Sequence, residues 1–420
     1  MIALLDCNNF YVSCERLFDP KLINKPVVVL SNNDGCVISR SNEAKSIGIK
    51  MGEPLFKIKH LIKKFRVSVL SSNYSFYGDI SNRIMRVLQK SIANVEVYSI
   101  DEAFFTLDME IDKRDFFCND LANKILQWTG IPVSIGIAPT KTLSKLVNYS
   151  IKKKKQYSDL RFKYPNVLEI KSKKELDYIL ANTNVRDIWG IGRGLSHFLI
   201  KNKINSALEL KESNKNFARQ KKGIILERTI LELRGVSCYK IKTYLPAKKS
   251  ICVSRSFGNK LNSYQDIKMA LIIYVQRAAS KMRNYGLFCK SISIFLKTSD
   301  YEKKKYQNTA KHTLFEATID LRIIWKISKE LLNKIYKQSF SYSKVGIILS
   351  DFCSKNNVQQ SFLFSGDELQ SDRPKNLDMK LMALIDEVNK RFGDGKLRLS
   401  SDENGFFYVK SLEEQKKKNG

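Results

Sequence analysis

The chain has 420 residues, 43% of them hydrophobic, so it is long enough for several domains with cores of their own. Lys and Arg number 73 against 42 Asp and Glu, and the formal net charge of +31 predicts a polyanionic partner. Charge alone does not separate DNA from RNA or an acidic membrane, and part of it reflects lysine-rich solvated surfaces. No apolar run approaches the roughly 18 residues of a membrane span, so we expect a cytoplasmic protein without a membrane partner.

The eight cysteines favour reduced thiols over disulfides or a zinc site. None of them forms a CxxC pair, and the three histidines lie far from any cysteine cluster. We expect several of these thiols to lie in cores.

The first part of the chain alternates short apolar strands with helices. We predict strands at 2–6, 95–100, 103–108 and 132–138, and helices near 116–129 and at 140–152. An insertion carries a further strand at 27–30 and a helix that begins near Ser41. This alternation predicts a small sheet with antiparallel strands, backed by helices.

Acidic residues mark the ends of two of these strands. Asp6 follows Ile2 to Leu5, and Asp101 and Glu102 follow the run from Val95. A sheet that joined the two strands would gather three carboxylates, which repel one another unless a hard divalent cation such as Mg²⁺ or Mn²⁺ neutralises them. Taken alone, each segment is equally well read as a solvated turn or an ordinary strand end.

The segment 166–240 has a helical and basic pattern, interrupted by the glycine-rich run from Trp189 to Gly194. The run is typical of a helix-hairpin-helix, in which backbone N–H groups and a helix N-terminus bind one DNA phosphate. By itself it is also compatible with a plain turn between helices.

Residues 241–355 predict a unit of order βαββαβ. Strands are expected at 250–257, 289–298, 309–316 and 343–351. The two helices are expected to bury one apolar face each, and the residues of these faces are Ile267, Leu271, Tyr274, Ala278 and Met282, and Ile319, Ile323, Ile327, Leu331 and Ile335.

The last segment, 356–420, is predicted to be a tail. It contains the run Gln360 to Phe364, a linker, and an amphipathic helix whose expected apolar face is Leu377, Leu381, Leu384, Val388 and Phe392.

Several long runs together resemble the Y-family lesion-bypass DNA polymerases, in particular the UmuC type, the catalytic subunit of bacterial DNA polymerase V. These runs are KPVVVLSNNDG from Lys25 to Gly35, YSIDEAF from Tyr98 to Phe104 and DIWGIGR from Asp187 to Arg193. The resemblance covers nearly the whole chain. It implies an α+β multidomain fold like a right hand, with a palm at 1–18 and 75–165, small fingers at 19–74, a helical thumb with the helix-hairpin-helix at 166–240, a βαββαβ little finger at 241–355, and a tail at 356–420 that binds the sliding clamp and partners.

The resemblance also implies a metal site. Asp6, Asp101 and Glu102 would ligate two Mg²⁺, for which Mn²⁺ can substitute, and the main-chain carbonyl of Cys7 would complete one coordination shell. Such a site transfers deoxynucleotides to a primer 3′-OH.

For the incoming deoxynucleoside triphosphate, the resemblance implies a set of contacts around these acids. Lys45 and Lys152, the amides of Asn9 and Phe10, and the hydroxyl of Ser39 match phosphate-binding positions, and Arg40 is expected over the base. Tyr11 matches the steric gate that excludes a 2′-OH, although an aromatic residue after a strand is more often a core residue. Phe10 itself is expected in the core. Many relatives carry a tyrosine where this chain has Asn42, so no role carries over to Asn42.

Further residues are implied to contact DNA and protein partners. Gly190, Gly192 and Arg193 would bind DNA in the thumb, as would Lys248, Lys249, Arg255 and Lys290 in the little finger. Any single lysine, taken alone, is better explained as a solvated surface residue. Gln360, Leu363 and Phe364 would dock in the sliding clamp. The implied partners are primer-template DNA including damaged DNA, deoxynucleoside triphosphates, a dimer of cleaved UmuD, RecA and the clamp, with association with the nucleoid during synthesis.

Two other classes of function fit parts of this pattern. A non-catalytic DNA-binding subunit could regulate a replication complex, and a two-metal nuclease could use the same acids. The acid set together with Tyr11, Lys45 and Lys152 argues against the regulator. The clamp motif, with the thumb and the little finger, argues against the nuclease.

Overall fold

The computed structural model describes residues 1–154, 156–244, 247–299, 301–302, 304–354, 375–393 and 397. The chain divides into two compact units, Met1–Leu30 with Cys36–Leu245, and Ser31–Gly35 with Pro246–Gly420. Helices and sheets occur in both units, so the predicted mixed α+β architecture is confirmed. None of the described helices is both long and apolar enough to cross a membrane.

The first unit is built on a five-stranded sheet of order β5-β6-β1-β7-β8. Its strands are β1 (Ile2–Cys7), β5 (Val95–Val97), β6 (Glu102–Thr106), β7 (Val133–Ala138) and β8 (Val167–Glu169). All neighbours pair antiparallel except β7 and β8, which are parallel. β8 lies in the segment where we expected only helices.

Strand β1 is buried on both faces because helices cover both sides of the sheet. Ala3 and Leu5 point into the core formed with α1 (Phe10–Phe18), α4 (Tyr74–Ser91) and α5 (Ile111–Thr129). Ile2 and Leu4 point to the opposite side, where α6 (Lys141–Lys152) packs. Alternate residues of this apolar strand therefore pack against the helices on the two faces of the sheet.

Helix α6 lies unusually close to the sheet because β7 carries a glycine there. A Cβ at Gly136 would lie 2.6 Å from the backbone of Ser144 and Asn148. The Asn148 amide donates to the carbonyls of Leu4 and Ser134, at 3.2 and 2.9 Å. This contact sets the depth and rotation of α6, and with them the positions of its lysines.

The insertion folds as a three-stranded sheet of order β3-β2-β4. Its elements are β2 (Val27–Leu30), β3 (Val37–Arg40), β4 (Ser68–Ser71), α2 (Asn42–Ser46) and α3 (Leu55–Phe65), with a short 3-10 helix at Pro20–Leu22. The 3-10 helix Asn32–Asp34, between β2 and β3 in sequence, belongs to the second unit. β2 pairs antiparallel with β3 and parallel with β4.

A run of helices follows β8, as the pattern predicted. It comprises α7 (Lys173–Ala181), a 3-10 turn (Val185–Asp187), α8 (Arg193–Lys201), α9 (Ala207–Glu212), α10 (Lys215–Lys222) and α11 (Ile224–Leu233). Their apolar faces share one core with α6.

The second unit has the predicted order βαββαβ. Its elements are β9 (Ser250–Leu261), α12 (Tyr264–Asn284), β10 (Leu287–Thr298), β11 (Gln307–Thr318), α13 (Leu321–Ile335) and β12 (Tyr342–Ser354). They form an antiparallel sheet of order β11-β10-β12-β9 with α12 and α13 on one face. The predicted face of α12 is buried, but Ile323 of α13 is 43% exposed because α13 begins at Leu321 and buries Ile324 instead.

A final helix, α14 (Lys375–Phe392), packs on this unit in an orientation that the sequence did not predict. Met382 is buried, and Asp386 accepts two hydrogen bonds from Arg283, at 2.6 and 2.7 Å. Leu381 and Leu384, expected on the packed face, are exposed. The bidentate ion pair with Arg283 fixes this rotation of α14.

Candidate active site

Strand pairing brings the three predicted carboxylates to the same end of the neighbouring strands β1 and β6. Asp6 stands directly opposite Glu102 in the antiparallel register of β1 and β6. The N–H of Cys7 donates to the carbonyl of Asp101 at 2.9 Å, so Asp101 lies beside the same strand end. Asp101 belongs to the bend before β6, where the Ser99 hydroxyl donates to its carboxylate at 2.6 Å.

Lysines pair with two of these acids. Lys152 lies 2.6 Å from Asp6, and Lys145 lies 2.8 Å from Glu102. Burial raises the pKa of Asp6 to about 6; the Lys152 ammonium opposes this shift, and the charges of Glu102 and Asp101 add to it. Among the described residues, no three His, Cys, Asp or Glu side chains converge closely enough to hold a metal ion.

The donor set nevertheless suits a hard divalent cation. Three carboxylates lie at adjoining strand ends, and the almost fully buried Asp6 needs a positive partner, which is Lys152 in this structure. Burial also raises the pKa of the Cys7 thiol well above its ordinary value. Burial therefore disfavours the thiolate, and the main-chain carbonyl of Cys7 is the oxygen donor that suits a hard cation.

Lys145 is a site residue that the sequence analysis missed. Its ammonium lies 4.7 Å from the ring of Tyr98, 5.8 Å from Phe104 and 5.9 Å from Trp189. The Trp189 indole donates to the Tyr98 hydroxyl at 3.0 Å, which holds two of these rings together. The available signal was the seven-residue spacing between Lys145 and Lys152, which places both on one face of α6.

A cavity of about 250 Å³ opens beside the acids, within the first unit. Acidic, basic and aromatic side chains share its wall: Asp6, Glu102, Lys145, Tyr149, Lys152, Asp187 and Trp189. Charged groups of both signs therefore face this cavity, which can accept a ligand that carries several charges.

Lys45 lies in a small polar network beside Asn9, three residues after Asp6. Its ammonium donates to the side-chain oxygens of Asn9 and Asn42, and Asn9 donates to Asn42 at 3.1 Å. Partial burial, together with the positive charges of Lys152 and Arg40, lowers the pKa of Lys45 to about 8, although Asp6 opposes the shift. The contact with Asn9 places Lys45 near the end of β1 that carries Asp6.

Ser39 and Arg40 make contacts inside the protein. The Ser39 hydroxyl is buried, accepts from the N–H of Val12 at 3.4 Å and donates to the carbonyl of Asn9 at 3.4 Å. The guanidinium of Arg40 donates to the carbonyl of Ile49. Ser39 therefore also joins β3 to the start of α1.

Tyr11 is half-buried and its ring is held on one face. It stacks on Tyr77 with ring centroids 4.5 Å apart, and Tyr74 meets it edge-on at 5.9 Å. The Tyr77 hydroxyl in turn donates to Glu15. Phe10 is buried in the core, as expected.

The glycine-rich run forms the entry to α8. Gly190 has φ of +88°, a conformation that favours glycine, and Gly192 is the N-cap of α8. Arg193 is the first residue of that helix, so its side chain and the first backbone N–H groups lie at the positive end of the helix dipole.

The predicted DNA contacts of the second unit are distributed over different surfaces. Lys248, Lys249 and Lys290 are exposed, and Lys248 lies over the ring of Tyr285. Arg255 is in register with the buried residue Val345, so it points to the side of the sheet that carries the helices.

The other face of this sheet carries lysines that the sequence analysis did not select. Lys297 stands directly opposite Lys344, and Lys311 is paired with Ser293. Like charges directly opposite one another destabilise a sheet, which favours an anion on this face. The alternation of Ser, Thr and Lys along these strands could have indicated a polar face. Without the strand register, however, it does not show which lysines stand opposite one another.

The clamp residues Gln360, Leu363 and Phe364 lie outside the described residues.

Comparisons with known proteins agree over most of the chain. Residues 5–149 match the impB/mucB/samB family, and residues 248–362 match the C-terminal domain of that family. The protein UmuC of Salmonella typhimurium is 40% identical over 94% of this chain and 92% of its own length. The protein MucB of Escherichia coli is 35% identical over 93% and 90%, and DNA polymerase IV of Clostridium kluyveri is 24% identical over 96% and 98%.

Solved structures share the fold at lower identity. A Y-family DNA polymerase chimera of Dbh and Dpo4 superposes with a TM-score of 0.67 at 20% identity, over 84% of this chain and all of that one. DinB from Sulfolobus solfataricus gives a TM-score of 0.51 at 21% identity, over 83% and 98%. The chain belongs to the impB/mucB/samB family, the UmuC type of the Y-family DNA polymerases.

Proposed function

We propose that this chain is a template-directed DNA polymerase of the error-prone, lesion-bypass type, which adds deoxynucleotides to a primer 3′-OH at the edge formed by Asp6, Asp101 and Glu102. The observation that carries the proposal is the strand register, which sets Asp6 opposite Glu102. The carbonyl of Asp101 accepts a hydrogen bond from Cys7 at the same strand end. Lys152 and Lys145 pair with two of these acids, and Lys45 contacts Asn9, three residues after Asp6. A site for a metal-bound triphosphate requires such positive groups.

Asp6, Asp101, Glu102 and the carbonyl of Cys7 would hold two Mg²⁺, or Mn²⁺ as a substitute. Such ions supply positive charge to the primer hydroxyl, which lowers its pKa, and to the departing pyrophosphate. The paired strand ends hold the carboxylates in place. Before substrate binds, Lys152 and Lys145 balance the charges of Asp6 and Glu102.

The nucleotide would lie between Lys152 and Lys45. Their ammonium groups, with the amides of Asn9 and Phe10 and the hydroxyl of Ser39, bind phosphates, and Arg40 stacks on the base. Tyr11 acts as the steric gate: because Tyr77 supports its ring at 4.5 Å, the ring cannot easily withdraw from a 2′-OH.

DNA would be held mainly through its phosphates. In the first unit the contacts are Gly190, Gly192 and Arg193, at the start of α8. In the second unit they are Lys248, Lys249, Lys290 and the half-exposed Arg255, to which we add Lys297, Lys311 and Lys344 on the open face of the sheet.

The right-hand division predicted above is kept as part of the proposal. The palm comprises 1–18 and 75–165, the fingers 19–74, the thumb 166–240, the little finger 241–355 and the tail 356–420. The further partners are a dimer of cleaved UmuD, RecA and the sliding clamp, the last bound through Gln360, Leu363 and Phe364.

Primer extension by the purified chain tests the proposal. A labelled primer on an undamaged template and on one with an abasic site is incubated with single deoxynucleotides and Mg²⁺, with and without cleaved UmuD and RecA. We expect lengthened primers, correct-base selection on the undamaged template, and loss of the product with EDTA. Shortened primers would indicate the nuclease, and DNA binding without either product would indicate the regulator; both results refute the polymerase.

A further inference from the structure

The lysines of the site differ in the type of group that holds them. Lys152 and Lys145 are paired with carboxylates, at 2.6 and 2.8 Å, so their charge is already balanced. The described contacts of Lys45 are to the uncharged side chains of Asn9 and Asn42. An amide oxygen fixes the direction of an ammonium group but leaves its net charge available to an anion.

The network around Lys45 is built by two helices. Asn9 is the N-cap of α1 in a left-handed conformation, with φ of 49°, and its side chain makes no capping hydrogen bond. It reaches across to Asn42, the first residue of α2. Arg16 of α1 and Glu43 of α2 form a second link at 2.9 Å, so the two helices hold a fixed relation at this point.

We propose that Asn42 is a positioning residue for nucleotide binding, which holds the Lys45 ammonium toward the triphosphate without neutralising it. The side-chain oxygen of Asn42 accepts from Lys45 at 3.2 Å and from Asn9 at 3.1 Å. Without it, a long flexible lysine would sample other rotamers and lose part of its affinity for phosphate. This inference rests on the polymerase function proposed above.

Two substitutions at this position separate charge from shape. Asn42→Ala removes the acceptor and should raise the KM for a deoxynucleotide about threefold to tenfold, with kcat within about twofold. Asn42→Asp keeps the size and the acceptor but neutralises Lys45 and repels the triphosphate, so it should raise KM by about tenfold or more. Asn123→Ala, at an exposed asparagine on α5, is the matched control and should leave KM unchanged.

The measurement is single-nucleotide incorporation over a range of nucleotide concentrations, with the affinity of a non-hydrolysable nucleotide analogue as a second readout. Melting temperatures equal to that of the wild type exclude a merely structural effect. If the wild type extends primers and Asn42→Asp binds the analogue with unchanged affinity, this inference is refuted and the polymerase stands. If the wild type does not extend primers, the proposed polymerase function is refuted, and the inference on Asn42 is refuted with it.

Discussion

Glu232 is the buried carboxylate that joins the end of the first unit to the helix carrying the site lysines. It lies on α11 with no exposed surface. One oxygen accepts the N–H of Thr142 at 3.0 Å, and the other accepts those of Cys238 and Tyr239 at 2.6 and 3.3 Å. The backbone carbonyl of Glu232 also accepts from the Thr140 hydroxyl at 2.9 Å.

Glu232→Ala should therefore destabilise the first unit strongly. Three backbone donors would lose their shared acceptor side chain, and each buried donor left unpaired costs about 1–3 kcal/mol. Allowing for water that enters the space, we expect a loss of about 3–6 kcal/mol, a large part of the ~5–15 kcal/mol that stabilises a typical domain. Glu232→Gln should cost less because one oxygen acceptor remains.

Urea unfolding and native-state hydrogen exchange together measure this effect. Unfolding gives the free energy, and exchange reports whether the amides of Thr142, Cys238 and Tyr239 lose protection. Glu212→Ala, at an exposed glutamate that ends α9, should change stability by no more than about 0.5 kcal/mol. Unchanged protection of the three amides in Glu232→Ala, with a free energy like that of the control, would show that Glu232 does not stabilise the first unit through these hydrogen bonds.

Three further predictions follow from the site and the tail. Tyr11→Ala should admit ribonucleotides; an unchanged preference for dATP over ATP in a competition assay would exclude Tyr11 as the gate. The KM for deoxynucleotides should rise as the pH increases through about 8, because the lowered pKa of Lys45 means that its charge is lost earlier than usual. In Lys45→Arg, whose guanidinium stays protonated, KM should not rise below about pH 10. If the variant and the wild type show the same dependence of KM on pH, Lys45 is not its cause. Replacing both Leu363 and Phe364 with Ala should weaken clamp binding and processive synthesis but spare single-nucleotide addition, since burying two such side chains contributes about 2–4 kcal/mol. Equal clamp affinity for variant and wild type would contradict this assignment.

Patterns along the chain were sufficient for much of the architecture. Acids at two strand ends predicted that Asp6 would meet Asp101 and Glu102 if the two strands were neighbours, and it was the resemblance of the longer runs that favoured this pairing. The βαββαβ order was predicted from apolar periodicity, which distinguishes its strands from its helices.

Features that depend on rotation or register between elements were not predicted. The close approach at Gly136 fixes the rotation of α6, and only that rotation brings Lys145 to Glu102. The pairing of Lys297 with Lys344 requires the register of β10 with β12. On α14, the ion pair of Arg283 with Asp386 overrides the face that the hydrophobic pattern favoured.

In the proposed function, the acids at the paired ends of β1 and β6 carry out nucleotide addition and not DNA binding. The most direct test measures single-turnover incorporation and primer-template affinity on the same samples of Asp101→Ala and Glu102→Ala. We predict that each variant loses essentially all incorporation while DNA affinity stays close to that of the wild type, because DNA binding comes from basic residues elsewhere. Incorporation by either variant at more than a few per cent of the wild-type rate would contradict the account.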